Sequence, residues 1–218
     1  MGQQEPMPTP DTKFQRRKDD RPAEIVAAAM EVFAEKGFAL ARLDDIARRA
    51  GISKGALYLY FDTKEDIFRA VVRETVTPNI EAMRAMAEAY EGPFAELAPL
   101  ILARLVAVAE NSRLPAVAKM VISESRNFPD LARTWHDSVV SQAVGLIAEL
   151  IGRAQARGEI RPGRPRFYAF SLIGPMLMGF LWRETFQPIG AEPIDLAALA
   201  RQHVETVLGG MLTEQGRT

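Results

Sequence analysis

Lys54, Tyr58 and Tyr60 are the residues whose types and spacing point most directly to chemistry: within residues 43–61 they fall on the outside of a very short helix that also carries Gly55. A lysine can reach guanine acceptors, a glycine lets its backbone come close to a partner, and a tyrosine hydroxyl can donate to phosphate. That is recognition chemistry. Bond-making chemistry has no comparable grouping, because there is no phosphate-binding glycine loop, no metal-ligand spacing and no serine with a plausible His/Asp relay; a site assembled only in space is invisible at this level. His136 and His203 lack ligand-spaced partners, so neither a metal nor a cofactor is expected. Zero cysteines exclude disulfides, thiolate metal sites and cysteine nucleophiles.

The elements that must position these residues can be read from the same run. Ile46, Ala47 and Ala50 place apolar atoms on one face of a first short helix, and Gly51 can take the left-handed backbone conformation that a tight turn requires. Ala47 is small enough for a second helix to cross close by, Ile52 and Leu57 supply buried contacts, and Ser53 is a natural N-cap. Lys54, Gly55, Ala56, Tyr58 and Tyr60 remain on the outside. An ordinary helical hairpin could share the alanine-to-glycine spacing. The cap, the small crossing residues and the polar aromatic outer face together favour a helix-turn-helix reading head for double-stranded DNA.

With 218 residues, 48% of them hydrophobic, the chain can bury a sizeable core and has room for a small domain and a larger one. The formal net charge of −1 means that DNA affinity must come from a local patch. Lys13, Arg16, Arg17, Lys18 and Arg21 precede the first helix, and Arg42, Arg48, Arg49, Lys54 and Lys64 surround the helix-turn-helix. Residues 1–20 are read as a flexible basic leader, at once solvated and able to add phosphate contacts. No membrane span is expected. The most apolar run, from Ala169 to Trp182, is shorter than the ~18 residues a span needs and is interrupted by Gly174 and Pro175. The absence of a hydrophobic signal core fits a cytoplasmic protein.

Helical periodicity runs nearly throughout, which predicts an all-α chain of about nine helices. The first begins near Pro22 and ends at Gly37. A fourth, long helix starts after residues 62–64 and is expected to bend or break at Pro78. Further helices are expected from Pro93, Pro115 and Pro129, the last running to Gly158, followed by a loop over 158–165 and two final helices over roughly 166–186 and 194–213.

Residues 21–73 resemble the DNA-binding region of the tetracycline-repressor (TetR) family of bacterial transcriptional regulators. The resemblance rests on Ile25, Ala28, Phe33, Gly37, Asp45, Ile46, Ala47, Ala50, Gly51, Ser53, Lys54, Gly55, Leu57, Tyr58, Tyr60, Phe61, Lys64 and Phe68, in order and without gaps. It implies a three-helix helix-turn-helix domain over 21–64 and a larger helical ligand-binding and dimerisation domain over 65–218. It further implies that Lys54 and Gly55 approach base edges, and that Tyr58, Tyr60 and Lys64 touch phosphates; the alternative for Tyr58 is partial burial against the first helix. The chain departs from the family at Arg42, where a threonine often caps the second helix. An arginine cannot accept from a backbone amide, although Asp44 and Asp45 offset the loss and Arg42 could hold phosphate directly. Effector and operator do not transfer with the resemblance.

A sensor domain of this kind would hold its small-molecule effector in a cavity between helices. Candidates for the lining are Met83, Met86, Leu102, Leu105, Val106, Met120, Ser123, Phe128, Trp135, Val139, Phe170, Ile173 and Leu177, which as a set favour an apolar or aromatic effector. Each could equally be plain core, since any helix bundle needs apolar residues at this spacing. In the last helix Ala197, Ala200, Val204, Val207 and Met211 make one stripe and Leu196, Leu199 and His203 a second. With the apolar Leu172, Ile173, Met176, Leu177, Phe180 and Leu181 before it, the pair is expected to form a four-helix homodimer bundle through 166–186 and 194–213. The competing reading is a constitutive or architectural DNA-binding protein, which a fully packed core would favour.

Overall fold

The computed structural model describes residues 21–217; Lys13, Arg16, Arg17, Lys18 and the rest of the basic leader lie outside the described residues. Among the described residues the fold is helical, with one isolated antiparallel bridge between Ile160 and Leu212. Nine helices follow in order: α1 Arg21–Leu40, α2 Leu43–Arg49, α3 Lys54–Leu57, α4, α5 Phe94–Glu110, α6 Leu114–Glu124, α7, α8 Pro165–Thr185 and α9 Leu196–Met211. Two of them are composite. α4 comprises Lys64–Val71, a π-helical turn Val72–Val76 and Thr77–Glu88, and α7 comprises Pro129–Trp135, a second π turn His136–Val140 and Ser141–Ala156. The two π turns pack on each other where α4 and α7 cross.

Pro78 neither breaks nor ends α4. The π turn just before it absorbs the missing N–H: the Thr77 amide reaches back to the Val72 carbonyl, the Thr75 hydroxyl donates to Val71 O, and Asn79 Nδ2 donates to Thr75 O at 2.8 Å. Pro175 is likewise inside α8 without interrupting it. Proline at 175 leaves the Ser171 carbonyl without its helical donor, and His203 Nε2 from α9 sits 3.1 Å from Ser171 O and 2.9 Å from Leu172 O. Two carbonyls can only accept, so Nε2 carries the hydrogen. His203 therefore belongs to the α8–α9 contact.

Two hydrophobic cores organise the described residues. The first joins Ile25, Phe33, Phe38, Ile46, Leu57, Ile67 and Phe68 of α1–α4, and it is completed by Val117, Met120 and Val121 of α6 and Leu131 of α7. Phe33, Phe38 and Phe68 meet with ring centroids 5.4 to 6.2 Å apart, the tilted and edge-on geometry aromatic pairs prefer. The second core gathers Leu97, Ile101, Ile147, Ile151, Leu172, Met176, Val204 and Met211 from α5, α7, α8 and α9. Both apolar sides of α9 are used within the chain, one against α5 and one against α8, where a Cβ at Gly179 would crowd Leu196 and Leu199 at 2.8 and 2.9 Å. The two-sided character of α9 thus does not itself require a second copy. Among the described residues no helix is long and apolar enough to cross a membrane.

Candidate nucleic-acid interface

The turn between α2 and α3 has the geometry its residues dictate. Gly51 is in the left-handed region at φ 67°, with nothing within 4 Å of the position a Cβ would take, and Ile52 N returns to Ala47 O at 3.0 Å. Ser53 caps α3, its hydroxyl accepting from the Ala56 amide at 3.2 Å. Ile46, Ala47 and Leu57 are buried, while Lys54, Gly55 and Tyr58 are exposed and Ala56 half-buried. Tyr58 is 45% exposed, open enough to meet a partner while part of its ring is covered.

Tyr60 and Lys64, expected to touch phosphates, are drawn partly inward. α3 ends at Leu57, and the chain continues in tighter three-residue turns, Leu59 N to Ala56 O at 3.3 Å and Tyr60 N to Leu57 O at 3.0 Å. That change of period rotates Tyr60 onto the first core, where it is half-buried, and turns Leu59 out at 81% exposure. Leu59 is not among the outward residues read from the sequence; its place four residues after the exposed Gly55, on the same helical face, is the signal that could have found it.

Lys64 is also drawn inward. Its Nζ donates to the carbonyls of Phe38 and, at 3.0 Å, Ala41, and lies 4.4 Å from the centroid of the Phe38 ring. Burial pushes its pKa below the usual lysine value. An ammonium group reaching the last carbonyls of a helix explains this placement better than a phosphate contact does.

Arg49, Arg48, Lys36 and Lys54 are held by acidic neighbours. Arg49 pairs with Glu35 through contacts of 2.9 and 2.6 Å, Arg48 with Asp45, and Lys36 with Asp45 at 2.9 Å. Lys54 Nζ stands 3.0 Å from Asp44 Oδ1, and the hydrogen bond and charge of Asp44 raise its pKa. Arg42 precedes α2 in an extended conformation, exposed and making no side-chain cap, as its chemistry requires.

The thirteen candidate lining residues do not meet in one cavity. Met83, Leu102 and Val106 are buried in the second core with Met86, Leu105 and Ile173 packed against it, whereas Met120, Phe128, Trp135 and Val139 belong to the first. Ser123 is exposed and donates to Met120 O at 3.0 Å. Phe170 and Leu177 are on the outer face of α8, 46% and 43% exposed, beside Phe167 and Met178. Apolar spacing identifies residues that avoid water, without saying which core receives them. Three surface depressions are lined by none of the thirteen: an apolar groove of about 470 Å³ between α8 and α9 at Gly174, Met178, Trp182, Ile194 and Leu199, a polar cleft of about 810 Å³ around Glu31, Thr75, Asn111, Arg113 and Arg183, and a smaller polar one beside Lys36 and Arg48.

A capped, glycine-turned helix pair on an all-helical body defines a helix-turn-helix DNA-binding regulator. Residues 25–71 match the family model "Bacterial regulatory proteins, tetR family" and residues 98–207 match "Tetracyclin repressor-like, C-terminal domain". The chain belongs to the TetR family, whose members are ligand-responsive transcriptional regulators, typically repressors, that bind DNA and act as dimers. It is 25% identical over 197 residues to the fatty acid metabolism regulator protein of Bacillus subtilis, covering 90% of this chain and 98% of the relative. It is 28% identical over 164 residues to the HTH-type transcriptional repressor BepR of Brucella suis, covering 72% and 77%. In fold it is similar to the transcriptional regulator FadR from Bacillus subtilis in complex with stearoyl-CoA, with TM-score 0.74, 24% identity and 86% and 98% of the two chains covered. It is also similar to SmeT, the repressor of the Stenotrophomonas maltophilia multidrug efflux pump SmeDEF, with TM-score 0.68, 19% identity and 88% and 91% covered.

Proposed function

We propose that this chain is a cytoplasmic repressor that binds a palindromic operator as a homodimer, with half-sites one helical turn (~34–36 Å) or a multiple apart, and is released by a small apolar or aromatic effector. Residues 21–64 are the reading head and 65–218 the sensor and dimerisation part. Lys54, Gly55 and Ala56 face base edges; Tyr58 and Arg42 hold phosphates; Ser53, Tyr60 and Lys64 keep the head in shape. The single observation that carries this reading is the outer surface of α3, where an exposed lysine with one weak surface partner stands beside an exposed glycine whose would-be Cβ meets only the Ser53 hydroxyl, at 4.0 Å.

The dimer uses the apolar outer face of α8, where Phe167, Phe170, Leu177 and Met178 are exposed beside the groove between α8 and α9. For the effector, the neighbours support apolar chemistry: the FadR structure holds stearoyl-CoA and a SmeT structure holds triclosan. The second core has members suited to repacking around a ligand, since Met83 and Met86 belong to the same cluster as Leu102, Leu105, Val106 and Ile173 and methionine repacks readily. The constitutive alternative draws on the scattering of the thirteen candidates over two cores and the surface.

Selection of duplexes from a random pool by the full chain, followed by a screen of long-chain acyl-CoA, triclosan and aromatic compounds for release, separates the readings. An enriched palindrome released by one of these classes supports the proposal. A palindrome that none of them releases favours the constitutive alternative, and no enrichment removes the DNA reading.

A further inference from the structure

The corner between α1 and α2 is held by a residue from the body of the protein. Glu124, the last residue of α6 and half-buried, accepts from the Phe38 amide at 2.9 Å through Oε1 and from the Ala39 amide at 2.7 Å through Oε2. Lys64 donates to carbonyls of the same run, those of Phe38 and Ala41, and feels the charge of Glu124. The peptide run 38–41 is therefore gripped between a carboxylate and an ammonium group, the charge-assisted kind of hydrogen bond that fixes geometry most firmly.

Gly37 is what permits the grip. Its φ of 74° breaks α1 so that the next amides turn towards α6, and a Cβ there would overlap Glu124 Oε1. Phe128, just past α6, adds an edge-on ring contact to Phe38 at 5.1 Å. The gripped run leads directly into Arg42, the residue before α2, whose side chain makes no cap of its own. The attitude of α2, and of α3 behind it, is thus set at this corner.

We propose that Glu124 is a positioning residue for DNA reading: it fixes the α1–α2 corner from the body and thereby holds the reading head at the angle a specific groove requires. This role rests on the DNA-binding reading above. It also gives α6, which carries no residue of the interface, a direct mechanical hold on the head.

The test compares wild type, Glu124→Ala and the isosteric Glu124→Gln as full chains. It reads amide exchange at Phe38 and Ala39, and affinity both for the duplex enriched by the wild type and for a scrambled duplex of equal length. In Glu124→Ala the two amides should exchange about tenfold faster and affinity for the enriched duplex should fall roughly tenfold, the scale on which one charge-assisted hydrogen bond acts. Affinity for the scrambled duplex, set by phosphate charge, should stay within about twofold. Glu124→Gln should fall between, because a carboxamide oxygen still accepts from one amide. It decides the matter if the alanine variant does not fold. Amides that remain protected without the carboxylate overturn the contact, and an unchanged ratio of enriched to scrambled affinity overturns the positioning role. Failure of the wild type to enrich any duplex would remove the DNA reading and this role with it, while the exchange data would still report on the contact.

Discussion

Lys54 and Asp44 face each other across the helix-turn-helix, Nζ to Oδ1 at 3.0 Å, with both side chains about half exposed. The pair ties the tip of α3 to the first turn of α2, yet in the solvent an exposed ion pair is weak and easily exchanged for a nucleic-acid partner. Asp44 is thus a competitor for the lysine that should read DNA. Asp44→Asn is expected to raise affinity for duplexes of any sequence. Lys54→Ala should lose roughly tenfold affinity for the selected operator and relax its preference at one base position. Tyr58→Phe should weaken binding evenly across sequences. Binding titrations on the operator and its single-base variants check all three.

Gly51→Ala should lower stability by roughly 1–2 kcal/mol, the cost of a left-handed conformation for a residue with a side chain. Nothing stands near the new methyl group, so no further penalty is expected there. Gly37→Ala, with the same backbone demand and an overlap with Glu124, should cost more. Urea unfolding at fixed protein concentration measures the difference, and equal costs at the two sites would contradict the account of the corner.

Much of the reading head was legible because its signals are local. Gly37, Gly51 and Ser53 each act through backbone atoms within four residues, so turn and cap chemistry could be read without knowing what lies nearby in space. The positions of Tyr60 and Lys64 were not legible for the opposite reason. Tyr60 depends on α3 ending after one turn, and Lys64 on carbonyls more than twenty residues earlier. Glu124 lies 86 residues from its partner amide, beyond any pattern of spacing. The candidate lining residues are spread over both cores and the surface for a related reason: helical periodicity separates inside from outside, and the described residues form two insides.

The exposed apolar face of α8 is expected to close on a second copy. Phe170→Glu together with Leu177→Glu should yield a monomer by light scattering at micromolar concentration, with helicity retained, because both side chains are on the surface of the single chain. Operator affinity should fall steeply in that monomer, since the two half-sites would then be bound independently. A double variant that remains dimeric would move the interface elsewhere.

Acid sensitivity should have one identifiable contribution at the start of α5. Glu159 Oε2 accepts from the Phe94 amide at 2.8 Å and the carboxylate pairs with Arg157; the Arg157 hydrogen bond, outweighing burial, lowers its pKa. A carboxylate depressed in the folded chain binds fewer protons than in the unfolded one. Its contribution is present above the unfolded value of about 4.3 and is lost as pH falls through the lower folded value. Glu159→Gln should therefore lower Tm at neutral pH, and the gap to wild type should narrow as the pH falls below the unfolded value. A gap independent of pH would contradict the sign.

The central claim is that a ligand in the helical body and DNA at the head oppose each other. Binding linkage makes the effect mutual, with a coupling of about 1–3 kcal/mol typical of such systems. The most direct measurement is operator affinity with and without a saturating compound found by the screen. The account predicts a loss of roughly 5–150-fold, matched by an equal loss of ligand affinity on the operator-bound protein. Operator affinity that stays the same at saturating ligand would contradict it.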